Sequence, residues 1–270
     1  EWGLLAGRGF GKLGCKNIDV PTPIGWRKLG DLTVGDQVFD EHGKPCNILG
    51  IYEPPVSKAY RLTFSDGTTI DCCGDHLWVT WTHRDRKQYL RHGGGSTFPE
   101  DWVNYSQPLW DRYGNEVGRC GPEVRSTSQI VDTLTHSTRG DANHCIPTCG
   151  ELQYPTQELP LDPWLLGYWL GNGSTTQNAL STHQEDLSGV RDRYSAVFAL
   201  NEVHANGRGF TAQRLQHDLK ALGVFGNKHV PATYLRGDIA QRKALLAGLL
   251  DSDGHCHAKN GHVEFCSTLE

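Results

Sequence analysis

Methionine is absent from all 270 residues, position 1 included, and the last residues, Cys266 to Glu270, break off in mid-element. The expectation from both features is a fragment open at both ends. No Cys-x-x-Cys pair occurs among the nine cysteines, at positions 15, 46, 72, 73, 120, 145, 149, 256 and 266. The usual zinc-ligand spacing is therefore missing, and the odd count argues against a disulfide framework. A reducing cytosol, in which a thiol nucleophile survives, is the expected compartment. No apolar run approaches the length of a membrane span and no charged-then-apolar leader opens the chain, so no membrane partner is expected. An excess of positive charge is missing as well: residues 161 to 270 hold 10 Lys+Arg against 11 Asp+Glu, whereas a DNA binder is usually locally basic. What remains, at 37% hydrophobic, is enough for one large domain or two ordinary ones.

The most informative stretch runs from Cys15 to His76. It opens Cys15-Lys16-Asn17-Ile18-Asp19-Val20-Pro21-Thr22-Pro23 and closes Ile70-Asp71-Cys72-Cys73-Gly74-Asp75-His76. Short β-rich segments at 26–29, 35–40, 47–52 and 59–64 alternate with turns at Glu41-His42-Gly43 and Ser65-Asp66-Gly67, the pattern of a compact β unit. The leading Cys, the Pro-Thr-Pro, the Trp-x-x-Leu-x-Asp-Leu-x-Val-Gly-Asp-x-Val run from Trp26 to Val38 and the terminal His resemble the N-terminal half of an intein of the Hint family. The resemblance implies a β-rich, horseshoe-like splicing domain whose chemistry needs no cofactor.

Attack by the Cys15 thiolate on the Gly14 carbonyl converts an amide into a thioester, uphill unless a group distorts the amide or protonates its nitrogen. His76 is the candidate for that role, since an imidazole titrates near neutrality. Glycine at position 14 lets the carbonyl twist without a Cβ clash. Cys73 stands where the resemblance implies an assisting Thr, and an S–H donates only weakly.

Upstream of Cys15, the string Ala6-Gly7-Arg8-Gly9-Phe10-Gly11-Lys12 resembles the phosphate loop of phage terminase large subunits, with Gly9, Gly11 and Lys12 as candidate nucleotide contacts. Ala6 replaces the first glycine of that motif and Leu13 its Mg²⁺-binding hydroxyl, so a competent loop is not expected. Residues 1–14 are thus assigned to a flanking terminase-like extein. A plain fragment of a terminase ATPase is the alternative.

Between residues 81 and 160, the segments 82–87 and 91–96 have the composition of solvated loops, while Ser126 to Leu134 carries a capping signature and is expected to be a short helix. Asn143 to Pro147 is assigned as a strand returning to the β unit. His144 and Cys145 within it are not assigned as ligands. The three prolines at 155, 160 and 163 mark a boundary, which divides the chain into 1–14, 15–160 and 161–270.

The last segment opens Pro163-Trp164-Leu165-Leu166-Gly167-Tyr168-Trp169-Leu170-Gly171-Asn172-Gly173, and a related run follows at Leu246-Ala247-Gly248-Leu249-Leu250-Asp251-Ser252-Asp253-Gly254. Small residues four apart, Gly167 with Gly171 and Gly248 with Ser252, clear one face of each helix so that two helices can touch backbone to backbone. Polar residues at the two helix feet, Asn172 and Asp253, are candidate divalent-metal ligands. The second run is similar to the LAGLIDADG motif of homing endonucleases. That resemblance implies an α+β chain with an αββαββ endonuclease domain truncated at its C-terminus, Mg²⁺ as cofactor, and double-stranded DNA at the insertion site as partner. Residues 191–199 and 202–211 alternate like sheet strands, which the resemblance implies form a saddle over DNA, and it further implies a basic residue near the metals, here Lys228. Because Asn172 carries no charge, slow or absent cleavage is expected. Residues 213–223 form an amphipathic helix closed by Gly223. His255-Cys256-His257 is not assigned as a cluster, because neighbours on a strand point to opposite faces.

Overall fold

The computed structural model describes residues 16–51, 58–91, 102–138, 140–201, 208–257, 259 and 261–265. They fall into two compact units, residues 1–153 and 154–270.

The first unit is a succession of antiparallel hairpins. β1 (Asp19–Thr22) pairs with β2 (Gly25–Lys28), β3 (Gln37–Phe39) with β4 (Pro45–Asn47), and β5 (Ala59–Thr63) with β6 (Thr69–Cys73). Gly43 and Gly67 sit at φ +75° and +84° in the turns of the latter two hairpins, a region open to glycine but strained for other residues. Val20, Leu32, Val38 and Ile48 close a small core under the first two hairpins. β7 (Leu77–Thr82) is the centre of a three-stranded sheet, flanked by β10 (Glu123–Ser126) and β11 (His144–Cys145), while β8 (Gln107–Trp110) pairs with β9 (Glu116–Cys120). The expected strand through 143–147 is thus present as the short β11.

Among its described residues this unit has two α-helices. α2 (Thr127–Asp132) begins with a capping box in which Ser126 accepts from the Gln129 amide and the Gln129 side chain accepts from the Ser126 amide. α1 (His83–Arg91) corrects the expectation of a loop over 82–87. Its start is a second cap: Thr82 Oγ1 accepts from the Asp85 amide at 3.3 Å, and the Asp85 carboxylate accepts from the Thr82 amide at 3.1 Å. The Thr-x-x-Asp spacing is legible in the sequence, but the charged run beside it masks it.

The second unit is built on a helix pair, α3 (Pro163–Asn172) and α7 (Ile239–Asp253). Asp162 caps the first, accepting from the Leu165 amide at 3.1 Å, with Pro163 in the first turn. Asp238 and Gln241 form a capping box on the second. The small residues do what their spacing implies. A Cβ on Gly167 would lie 2.3 Å from the Leu245 carbonyl oxygen, and one on Gly248 would lie 2.2 Å from that of Trp164. Around this seam Trp164, Tyr168, Trp169, Tyr194, Phe210 and Leu215 pack into the larger of the two cores, and the Tyr194 hydroxyl donates to the Leu165 carbonyl at 2.7 Å.

A two-stranded sheet, β12 (Ala179–Ser181) with β13 (Gly209–Thr211), lays Leu180 and Phe210 on this core. Between its strands runs α4 (Leu187–Ser195), which corrects the strand expected over 191–199. Val190, Tyr194 and Phe198 recur every four residues and are all buried, so the helical stripe prevails over the apparent alternation. The second expected strand lies partly outside the described residues, at 202–207. α5 (Leu215–Ala221) ends two residues before Gly223, whose φ of +73° terminates the helix. α6 (Ala232–Leu235) precedes α7, and a hairpin of β14 (Gly254–Cys256) and β15 (Val263–Phe265) follows it. No helix among the described residues is long and apolar enough to cross a membrane.

Candidate functional site

In the first unit the expected site residues meet at the turn between β6 and β7. The His76 amide donates to the Cys73 carbonyl at 3.2 Å, and the turn is fastened to the start of α2. Thr127 and Ser128 give their amides to the carbonyls of His76 and Gly74, each at 2.9 Å. Beneath it, Thr127 is fully buried and its hydroxyl accepts from the Trp78 indole at 2.9 Å. The His76 imidazole lies against the Trp78 ring, with centroids 4.4 Å apart, and its Nδ1 is buried with no hydrogen-bond partner among the described residues. Burial without a partner carboxylate disfavours the imidazolium and pushes its pKa down to about 4. His76 is therefore neutral at physiological pH. The Cys72 thiol is pushed up by burial, so the neighbouring cysteine is an inert core group. The reacting bond of the sequence-based scheme, Gly14–Cys15, lies outside the described residues, as do Gly9, Gly11 and Lys12.

The second site is at the foot of the helix pair. Gly171 has no room for a side chain, because a Cβ there would meet Ser252 Oγ at 2.1 Å and the Asp253 carboxylate at 2.8 Å. Lys228, 57 residues away in sequence, reaches in and donates to the Gly171 carbonyl at 3.1 Å, with its ammonium 5.2 Å from the centre of the Trp169 ring. Burial lowers the Lys228 pKa, and the charge of Asp253 opposes that shift. Asn172 turns to the interior: its amide donates to the Tyr168 hydroxyl at 3.2 Å, which in turn donates to Thr182 at 2.7 Å. The donor set suits Mg²⁺ poorly. Asn172 is neutral and engaged, an ammonium already occupies the Gly171 carbonyl, and Asp253 is left as a single carboxylate, whereas a hard dication wants several oxygens. No step is assigned to a metal here.

No family model matches the chain. The chain is 33% identical over 268 residues to a protein of Mycobacterium intracellulare named Replicative DNA helicase DnaB, a match that covers 98% of this chain and 41% of that protein. It is also 34% identical over 79 residues to a protein of the same name from Mycobacterium leprae (strain TN), covering 28% of this chain and 13% of that one. The chain thus spans well under half the length of either relative.

These matches correct the identity expected from the sequence, a self-splicing intein with a homing endonuclease lodged in a terminase. The relative that accompanies almost the whole chain bears the name of a replicative helicase, neither that of an intein nor that of a terminase. The terminase alternative falls with it, since it rested on a glycine-rich string common to many phosphate-binding loops. The geometry agrees on the nuclease, because an uncharged Asn172 leaves one carboxylate where paired metal ions would need two.

Proposed function

We propose that this chain is a DNA-engaging portion of a replicative-helicase polypeptide, and that its described residues lie outside the nucleotide-hydrolysing motor. The observation that carries the proposal is the 33% identity sustained over 98% of the chain to a protein named as such a helicase. In fold, the succession of short hairpins supports a Hint-like arrangement for the first unit, and the backbone-to-backbone helix pair supports a LAGLIDADG-like one for the second. A fold does not carry an activity with it, and the site has to supply that.

The surface offered to DNA is the outer face of β12 and β13. Leu180 and Phe210 point inward, so Ser181 and Thr211 point out. Beside them the Asn201 amide donates to Thr211 Oγ1 at 2.6 Å, and the Gln213 amide donates to Asn201 at 3.3 Å. A ridge of neutral amides and hydroxyls edged by Arg208 suits phosphate oxygens and base edges. The enzyme activity of the whole polypeptide, with Mg²⁺ and a nucleoside triphosphate as its requirements, belongs to other parts of it.

Fluorescence anisotropy with labelled duplex and single-stranded DNA across a salt series tests the assignment. Arg208→Ala should reduce the salt slope by about one. Ser181→Glu, which sets an acid against phosphate on the exposed face, should weaken binding further. A chain that binds no DNA at low salt, or binds it equally well in both variants, overturns the proposal.

A further inference from the structure

The hairpin of β14 and β15 gathers metal-binding side chains that come from both strands. Its register sets His255 opposite Glu264 and Cys256 opposite Val263, and the His257 amide closes the hairpin on the His262 carbonyl at 2.8 Å. Side chains alternate along each strand, so Cys256 and Val263 face one way, and His255, His257, His262 and Glu264 face the other. Consecutive residues do diverge, as the sequence implies. The partners of His257 come instead from across the turn.

The distances are those of a coordination sphere. His257 Nε2 lies 3.3 Å from one carboxylate oxygen of Glu264, and His262 Nδ1 lies 3.3 Å from the other. The three ligand atoms lie within 4.8 Å of one another. The His257 and His262 rings stack at 15°, with centroids 5.8 Å apart, and His255 stands edge-on to His257 at 4.7 Å. With metal–ligand bonds of about 2.0–2.2 Å, neighbouring ligands of a tetrahedral zinc ion are about 3.4 Å apart, so each imidazole already stands at that distance from one oxygen of the Glu264 carboxylate, and a small rotation of the carboxylate with closure of the His–His edge completes the set.

We propose that this face binds one borderline transition-metal dication, with Zn²⁺ the best fit, through His257 Nε2, His262 Nδ1 and the Glu264 carboxylate. The fourth position is open to solvent beside His255. Two imidazoles and one carboxylate favour such an ion over Mg²⁺ or Ca²⁺, which prefer all-oxygen sets. A hairpin of two three-residue strands is marginal in water without support, and an ion that ties His257 to the opposite strand supplies it.

Titration of the whole chain with Co²⁺, followed by its visible d–d absorption, and with Zn²⁺ against a chromophoric chelator, provides the test. One equivalent should bind. His262→Ala and the near-isosteric Glu264→Gln should each weaken binding at least about tenfold, because even residues that only orient a ligand are worth that much. Cys256→Ser should leave it unchanged. Unaltered affinity in the His257→Ala/His262→Ala double variant, thiolate-to-cobalt charge-transfer absorption, or no binding at all would overturn the assignment. The outcome is independent of whether the chain binds DNA.

Discussion

Replacing Gly248 with alanine sets two effects against each other. In an unobstructed helix interior alanine is favoured over glycine by about 1 kcal/mol. At Gly248, however, the new Cβ would stand 2.2 Å from the Trp164 carbonyl oxygen and 2.8 Å from the Tyr168 amide nitrogen, and these backbone atoms of α3 cannot rotate away. Carbon approaches a carbonyl oxygen comfortably only to about 3.3 Å, so the two helices must part by about 1 Å. A gap of that size forfeits about a quarter to a half of the dispersion energy at each contact along the seam, where Trp164, Tyr168 and Leu245 are buried. Overpacking costs about 1–3 kcal/mol, and a rigid obstruction sits at the upper end of that range. After the gain in propensity the expected net loss is about 2 kcal/mol. Gly189, exposed on α4 with no atom within 4 Å of the place a Cβ would take, is the control, and its change to alanine should stabilise by up to about 1 kcal/mol. Urea unfolding of the second unit should show the Gly248→Ala midpoint lowered by about 1 M and the Gly189→Ala midpoint unchanged or raised. A Gly248→Ala midpoint at or above that of the parent would refute the backbone contact.

Four further outcomes follow from the first unit and the two proposed sites. Thr127→Val removes the acceptor of the Trp78 indole inside the core and should cost about 1–3 kcal/mol by thermal unfolding, whereas Thr127→Ser should recover most of it. Unfolded His76 takes up a proton as pH falls through 6.5, but the folded imidazole does not until about 4, so stability should decline across that window and level off below it. The total is at most about 3 kcal/mol, and His76→Gln should flatten that part of the pH profile. Addition of Zn²⁺ should raise the melting temperature of the parent but not of Glu264→Gln, and the DNA affinity of Ser181→Glu should stay low at every salt concentration.

Local rules made much of the scaffold legible. The four-residue spacing of Gly167 with Gly171 and of Gly248 with Ser252 foretold a close helix pair, and the Ser126–Gln129 signature marked a helix start, because each signal acts within one or two turns of chain. Alternation misled at 191–199, where several apolar residues fit both periods. Burial of Val190, Tyr194 and Phe198 against a core assembled from distant segments chose the helix. The expected splicing and nuclease roles came from motif resemblance, and a motif of a dozen residues does not carry the activity of the polypeptide around it.

The sequence by itself determined which stretches turn, cap and pair, since glycine, proline and capping residues impose their geometry on their own neighbours. Only the tertiary structure decided which groups meet. Lys228 reaches Gly171 across 57 residues, His76 is buried against Trp78, and Glu264 comes to stand between two histidines from the two sides of the hairpin turn. Charge state and coordination depend on what surrounds a side chain in space, and chain order does not record those surroundings.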